Sequence, residues 1–412
     1  MQNLLALWRL IRRQPSFAGL LAANFALGMA YSFVVPFMSM WGTLKVGMSP
    51  LLFGLFMTTT SLSAIVVSTI LARWSDSHLA RKTLLILGAT GGVLGYIGYA
   101  FVRDPVLLVI IGSTALAVAS VNFSQLFSMV RETFDPAENP GVDTSFLVSV
   151  VRVCFSVAWT VGPAIGATMM AAFSYRGVFL GAAALYVLFL LGVLFFVPYR
   201  ARTADHRNAV RPSVWRVLTR SDILSSFIAF VLVFAAHAMN MMNLPLTVTT
   251  VLGGSARDLG IIFGVGPVVE IPLMLWFGHL AARGHQLLLI RTGAAATVAY
   301  FFALSLAQEP WHIYLIQVLS GVSFAILTNV TILFYQDLLP NQTGLATTIF
   351  SNSSNLGNLV GYFGFGTLVE HVGHRGVFSV CGSVTIVTLV ILLFYRHRVP
   401  STFEASPFIG PA

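Results

Sequence analysis

Apolar residues run along this chain in twelve stretches of about 20 residues or more, the length a helix needs to cross the roughly 30 Å hydrocarbon core of a bilayer. They cover 17–41, 51–72, 83–102, 105–130, 144–173 and 177–197, then 223–252, 258–282, 286–307, 311–335, 343–369 and 376–395. The widest polar break, 198–222, falls between the sixth and seventh. This pattern predicts an all-α integral membrane protein with 12 transmembrane helices in two six-helix halves, at 17–197 and 223–395. Segment 1–16, linker 198–222 and tail 396–412 are expected on one side of the membrane. Pro36, Pro163, Pro245, Pro267 and Pro272 are expected to bend the first, fifth, seventh and eighth helices, because proline removes a backbone donor and clashes with the preceding turn.

The two halves repeat each other. Gly54 matches Gly260 and Ala72 matches Gly278, both at an offset of 206, and Glu132 matches Asp337 at 205. Arg176-Gly177-Val178-Phe179 recurs 199 residues later as Arg375-Gly376-Val377-Phe378, each time opening the last helix of its half. Internal pseudo-symmetry of two parallel six-helix repeats places a binding site between them near mid-membrane.

Composition narrows the picture further. Of 412 residues 57% are hydrophobic and 9% charged, against about 25% charged in soluble domains, and the mean hydropathy is +0.85. This excludes a water-soluble fold and a sizeable soluble domain. The net charge of +9 sits in short connections, as orientation signals do, and predicts no nucleic-acid partner. The side holding both termini carries 17 of the 23 Lys and Arg residues, which predicts cytoplasmic termini. The first apolar run is too long for a signal-peptide core and is read as a retained helix. Cys154 and Cys381 are isolated within apolar runs and are read as packing residues.

Polar groups inside the spans carry the candidate chemistry, because each is costly in lipid and faces a partner or a cavity. Glu270 is the only acidic residue deep in a span and Arg152 the only basic one, at depths of about 18 and 12 Å from the cytoplasmic side. They are expected to pair or to share one path, either as a proton-coupling couple or as a permanent structural ion pair. Ser156 and Trp159 share the helix face of Arg152, and Trp159 reads equally as a platform for a sugar ring or as packing. Amides and phenols recur at helical spacing: Asn24 and Tyr31, Asn122 and Gln125, His237 with Asn240 and Asn243, Gln317 with Thr331 and Tyr335, and Asn352 with Asn355 and Asn358. Each amide both donates and accepts hydrogen bonds, so the set suits a hydroxyl-rich ligand, while any single member also reads as an interhelical bond. His237 competes with Glu270 as proton carrier, or is a neutral hydrogen-bonding group. No phosphate loop precedes either lysine, which disfavours an ATP-driven pump. No nucleophile, base and orienting group occur together, so no enzyme, metal or cofactor is expected.

Read in order, these features resemble the major facilitator superfamily. Ala72-Arg73-Trp74-Ser75-Asp76 with Arg81-Lys82 is similar to its loop after the second helix, without the glycines and one residue longer. In the matching loop Gly278 to Arg283, Ala282 stands in place of the acid. The resemblance implies a cytoplasmic gate formed by Asp76 with Arg131. Gly162-Pro163-Ala164-Ile165-Gly166-Ala167 resembles the superfamily's antiporter motif and so implies export. More specifically, Ser75-Asp76-Ser77, Gln125-Leu126-Phe127, Arg152 with Ser156 and Trp159, Glu270-Ile271-Pro272, Gln336-Asp337-Leu338 and Ala346-Thr347-Thr348 resemble the bacterial sugar efflux transporter family. That family implies a monomer in the inner membrane exporting lactose, glucose or thiogalactosides against protons. It can carry an aspartate where Asn243 stands. A multidrug or metabolite antiporter, a sugar importer and a non-transporting sensor are the competing readings; the first calls for a more apolar, aromatic cavity and the last for an appended soluble domain.

Overall fold

In a bilayer every backbone N–H and C=O must be satisfied within the chain, so long apolar runs fold as helices. The computed structural model describes residues 15–77, 80–133, 144–197, 217–339 and 342–395, apart from the side chains of 15–16, 72–77, 131–132, 144–146, 148–149, 282 and 343–344. Ten helices there are long and apolar enough to cross a membrane. Two of these, Thr144–Phe196 and Thr343–Phe394, are about twice the necessary length and are broken by one non-helical residue each, Ser174 and Gly373. Twelve crossings result. In chain order they are α1 (Phe17–Lys45), α2 (Pro50–Ser77), α3 (Arg81–Phe101), α4 (Pro105–Val130), α5 and α6 (144–173 and 175–196), α7 (Ser221–Val251), α8 (Ala256–Leu280), α9 (Gln286–Leu306), α10 (Pro310–Leu338), and α11 and α12 (343–372 and 374–394).

The same packing scheme occurs twice. In the first half α1 and α3 lie against the α5–α6 hairpin, and in the second α7 and α9 lie against the α11–α12 hairpin. The repeated Arg-Gly-Val-Phe segments open α6 and α12. The Arg176 guanidinium stands 5.8 Å over the Phe101 ring at the end of α3, and Arg375 donates to the Ala307 carbonyl at the end of α9 (3.2 Å). Two of the five prolines expected to bend helices lie at irregular stretches, Pro36 in a 3-10 turn within α1 and Pro245 two residues before the π turn at Thr247–Val251 in α7, whereas Pro163 in α5 and Pro267 and Pro272 in α8 lie within continuous α-helix. Large apolar side chains such as Leu275, Phe195 and Phe394 are exposed on the rim, as a lipid-facing surface requires.

Small residues make possible two of the crossings between the halves, beside a smaller contact of Val35–Met40 of α1 with α7. A Cβ on Gly54 of α2 would meet the Tyr362 carbonyl oxygen at 2.7 Å and Gly366 Cα of α11 at 2.8 Å. A Cβ on Gly260 of α8 would meet Ala167 Cβ of α5 at 3.0 Å and Ala164 Cα at 3.2 Å. Gly54 and Gly260 are the matched pair of the sequence repeat, so the duplication carries the same close approach twice. The antiporter-like segment of α5 forms the second crossing: Ala164 and Ala167 face α8, while Gly162 and Gly166 lie against Ser32, Phe33 and Phe37 of α1. Both crossings lie near the membrane end that carries connections 46–49, 252–255, Ser174 and Gly373, opposite the termini.

Candidate functional site

Further along the same four helices, toward the termini, two cavities open between the halves. Ser61 and Ile65 of α2 line one of them, about 10 Å and more beyond the Gly54 contact at 1.5 Å per residue. Phe155 and Trp159 of α5 line both cavities and stand between them.

The first cavity measures about 330 Å³, within the roughly 300–1,000 Å³ typical of ligand pockets. Most of its polar groups come from the second half, His237 and Asn240 of α7, Glu270 of α8, Tyr300 of α9, and Gln317 and Ser320 of α10, and Ser156 of α5 adds one from the first. Tyr300 organises this set. Its hydroxyl accepts from Asn240 Nδ2 (3.1 Å) and from Gln317 Nε2 (3.4 Å), which fixes both amides at the cavity edge. Asn240 Oδ1 and both His237 ring nitrogens are buried without a protein partner. The His237 ring is held between Phe324 (4.5 Å) and Phe301 (5.5 Å). Glu270 makes no hydrogen bond or ion pair with any described residue. A buried polar group left without a partner costs about 1–3 kcal/mol, so this set retains hydrogen-bonding capacity toward the cavity. The aromatic side chains Phe155 and Trp159 of α5, Phe263 of α8 and Phe324 of α10 also line this cavity.

The second cavity, about 490 Å³, is lined by Tyr31 of α1, Ser61 of α2, Ser120 and Phe123 of α4, and Asn355 and Asn358 of α11.

Of the side chains expected around a ligand, the structure brings His237, Asn240, Gln317, Trp159 and Glu270 to the first cavity, and Tyr31, Asn355 and again Trp159 to the second. The others stand elsewhere. Asn24 Nδ2 donates to the Val151 carbonyl (2.8 Å), tying α1 to α5. Asn122 is buried against Gly88 of α3. Gln125 Oε1 accepts from Arg81 (2.9 Å) at the start of α3. Asn243 is fully buried and bonded to His374. Tyr335 packs with Phe230 and Phe334 inside the second half. Asn352 is exposed on α11, short of the residues that line the second cavity. Arg152 is exposed on α5, lines neither cavity and forms no ion pair with Glu270 in this conformation. The expected pairing is therefore not made here, although the α5–α8 register puts the two at similar depth. The side chains of Asp76 and Arg131, the expected cytoplasmic gate, lie outside the described residues. Tyr300, Ser320, Ser61 and Asn358 complete the walls. Tyr300 was not singled out by the sequence, though a phenol in the middle of the apolar run 286–307 signals a buried partner.

The chain is similar to known membrane transporters. The Major Facilitator Superfamily model matches residues 20–361. A putative sugar efflux transporter of Deinococcus radiodurans is 34% identical over 386 residues, covering 93% of this chain and 99% of that protein. Sugar efflux transporter A of Dickeya chrysanthemi is 30% identical over 354 residues, covering 85% and 89%. In three dimensions, a crystal structure of the nucleoside transporter NupG superimposes with a TM-score of 0.80 at 14% identity, covering 92% of this chain and 99% of that one, a likeness of fold.

Proposed function

Since the chain belongs to the Major Facilitator Superfamily, and within it to the bacterial sugar efflux transporters, we propose that it exports small sugars or glycosides across the bacterial inner membrane in exchange for protons. It acts by alternating access as a monomer with both termini in the cytoplasm. The observation that carries this reading is the first cavity, where Asn240 and Gln317 are braced by the Tyr300 hydroxyl beside an unpaired Glu270. Amides that donate and accept at fixed positions match the alternating hydroxyls of lactose, glucose or a thiogalactoside. The aromatic side chains that line the same cavity match the apolar C–H face of a sugar ring.

With the termini in the cytoplasm, the closed crossings lie on the outer side and the cavities face inward, as the loading step of export requires. Occluding a charged carboxylate that has no partner is costly. Glu270 therefore passes through the occluded state holding either a proton or a hydroxyl of the ligand, and the exchange of one for the other couples the two fluxes. Arg152, without a bond to Glu270 in this conformation, approaches it in the alternate one.

The test is reconstitution in liposomes with an internal pH dye, applying gradients of lactose, glucose and a thiogalactoside to the unaltered protein and to Glu270→Gln. Sugar-dependent proton flux that disappears in Glu270→Gln, while sugar counterflow persists, is the expected result. The aromatic side chains Phe155, Trp159, Phe263 and Phe324 favour a second reading, a multidrug antiporter. Proton flux driven by a lipophilic cation, with none driven by any sugar, replaces the first reading by this one.

A further inference from the structure

Both cavities offer the same pair of surfaces. In the first, two amides and a phenol line the space together with Phe263 and Phe324. In the second, Asn355, Asn358 and Ser61 line it together with Phe123. Asn355 and Asn358 lie three residues apart on one face of α11, and neither makes a hydrogen bond with any described residue, so both amides keep their full donor and acceptor capacity toward the second space. The two spaces draw on different helices. Apart from α5, which adds Ser156 to the first, the first takes its polar groups from α7, α8, α9 and α10, and the second takes its own from α1, α2, α4 and α11. What they have in common is Phe155 and Trp159, four residues apart and therefore on one face of α5.

We infer that the second cavity is a second ligand subsite, accepting the far ring of a two-ring glycoside whose near ring occupies the first cavity, and that Trp159 is the partition that sets ligand length. The inference rests on the sugar-export reading. At about 330 and 490 Å³ each space takes one ring with its hydration. A ligand with two rings joined by a glycosidic oxygen fills both once the indole moves aside, which a change between staggered side-chain rotamers provides. A single-ring ligand uses the first space alone and leaves the indole in place. The second space suits a polar ring because the amides of Asn355 and Asn358 line it together with the rings of Phe123 and Trp159. An alkyl tail would leave Asn355 and Asn358 without partners.

The geometry separates ligands by length, so the experiment compares lengths. Binding and counterflow of glucose and of lactose are measured in proteoliposomes for the unaltered protein, for Asn355→Ala with Asn358→Ala, and for Trp159→Phe and Trp159→Ala. The double amide variant is expected to weaken lactose about tenfold, the equivalent of roughly 1.4 kcal/mol, and to leave glucose unchanged. Trp159→Ala is expected to shift the preference toward lactose and to admit a trisaccharide that the unaltered protein excludes, while Trp159→Phe keeps the original order. The amide variant breaks no hydrogen bond to any described residue, so it remains informative if Trp159→Ala fails to fold. Equal losses for both sugars in the amide variant, or no loss for either, overturn the second subsite. Movement of neither sugar by the unaltered protein overturns the sugar-export reading itself, and the inference with it.

Discussion

His237, Asn240 and Asn243 follow one another at intervals of three on α7, yet they do different work. Asn240 and His237 reach the first cavity, whereas Asn243, one helical turn nearer the closed end, is fully buried and clamps the start of α12. Its Nδ2 donates to the His374 carbonyl (2.8 Å), and its Oδ1 lies 2.7 Å from His374 Nδ1. An amide oxygen can only accept, so the proton sits on Nδ1 of His374. Asn243→Ala removes both bonds and strands the histidine, and is expected to destabilise the protein by about 1–3 kcal/mol, read as earlier thermal unfolding in detergent. Asn243→Asp is expected to be no milder, since it keeps one bond but turns a second oxygen toward the His374 carbonyl. Asn240→Ala is expected to spare the unfolding temperature and weaken sugar binding, because Asn240 spends only one donor on the protein. The sequence exposed the cost of each amide in lipid but not who satisfies it. Asn24, Asn122 and Gln125 satisfied the same spacing rule as Asn240 and proved to be interhelical links or packing, since the partner is set by tertiary contacts that spacing does not encode. Tyr300, which braces Asn240 and Gln317, was overlooked because a lone phenol forms no pattern.

At the level of helices, the sequence was a better guide. The apolar runs ended and restarted around the two residues where the long helices break, and the Arg-Gly-Val-Phe repeat marked both corners. Each corner turns through a single residue of positive φ, Ser174 (59°, ψ −166°) in the first half and Gly373 (68°, ψ 171°) in the second. That region is essentially reserved for glycine, and a side chain held there stores about 1–3 kcal/mol of strain. Ser174→Gly is therefore expected to stabilise the protein by about 1 kcal/mol, the strain relief being partly offset by the greater freedom of the unfolded chain. Gly373→Ser is expected to destabilise it. Paired thermal-unfolding curves of the two variants check the sign, and a lower transition for Ser174→Gly contradicts the strain argument. The π turns at Trp41–Lys45, Gly112–Leu116 and Thr247–Val251 were not legible, because an extra residue absorbed in a helix leaves the apolar pattern nearly unchanged.

For the molecule as a whole, access to the cavities depends on whether the contacts between the halves, α2–α11, α5–α8 and α1–α7, stay closed at one end. Rocking two rigid halves about a fixed site is the general route to alternating access, and a substitution shifts such an equilibrium by its differential effect on the two states. At Gly54 and Gly366 that difference is large. A Cβ on Gly54 lands 2.7 Å from a backbone carbonyl, and one on Gly366 lands 2.9 Å from the Pro50 carbonyl, contacts that no side-chain rotation relieves. Gly54→Val and Gly366→Val are therefore expected to disfavour the state seen here and populate the state open at the other end, without touching either cavity wall. A cysteine placed at Ser61, on the wall of the second cavity, reports this through its labelling by an impermeant thiol reagent added to one face of the membrane at a time. In the unaltered background it is expected to react from the face that holds the termini. Adding Gly54→Val is expected to slow that reaction several-fold and to open reaction from the opposite face, because a destabilisation of about 1.4 kcal/mol changes the ratio of the two states tenfold. Labelling unchanged by Gly54→Val would mean that the closed crossing tolerates a side chain, and that the matched glycines serve helix packing within each state instead of selecting between states.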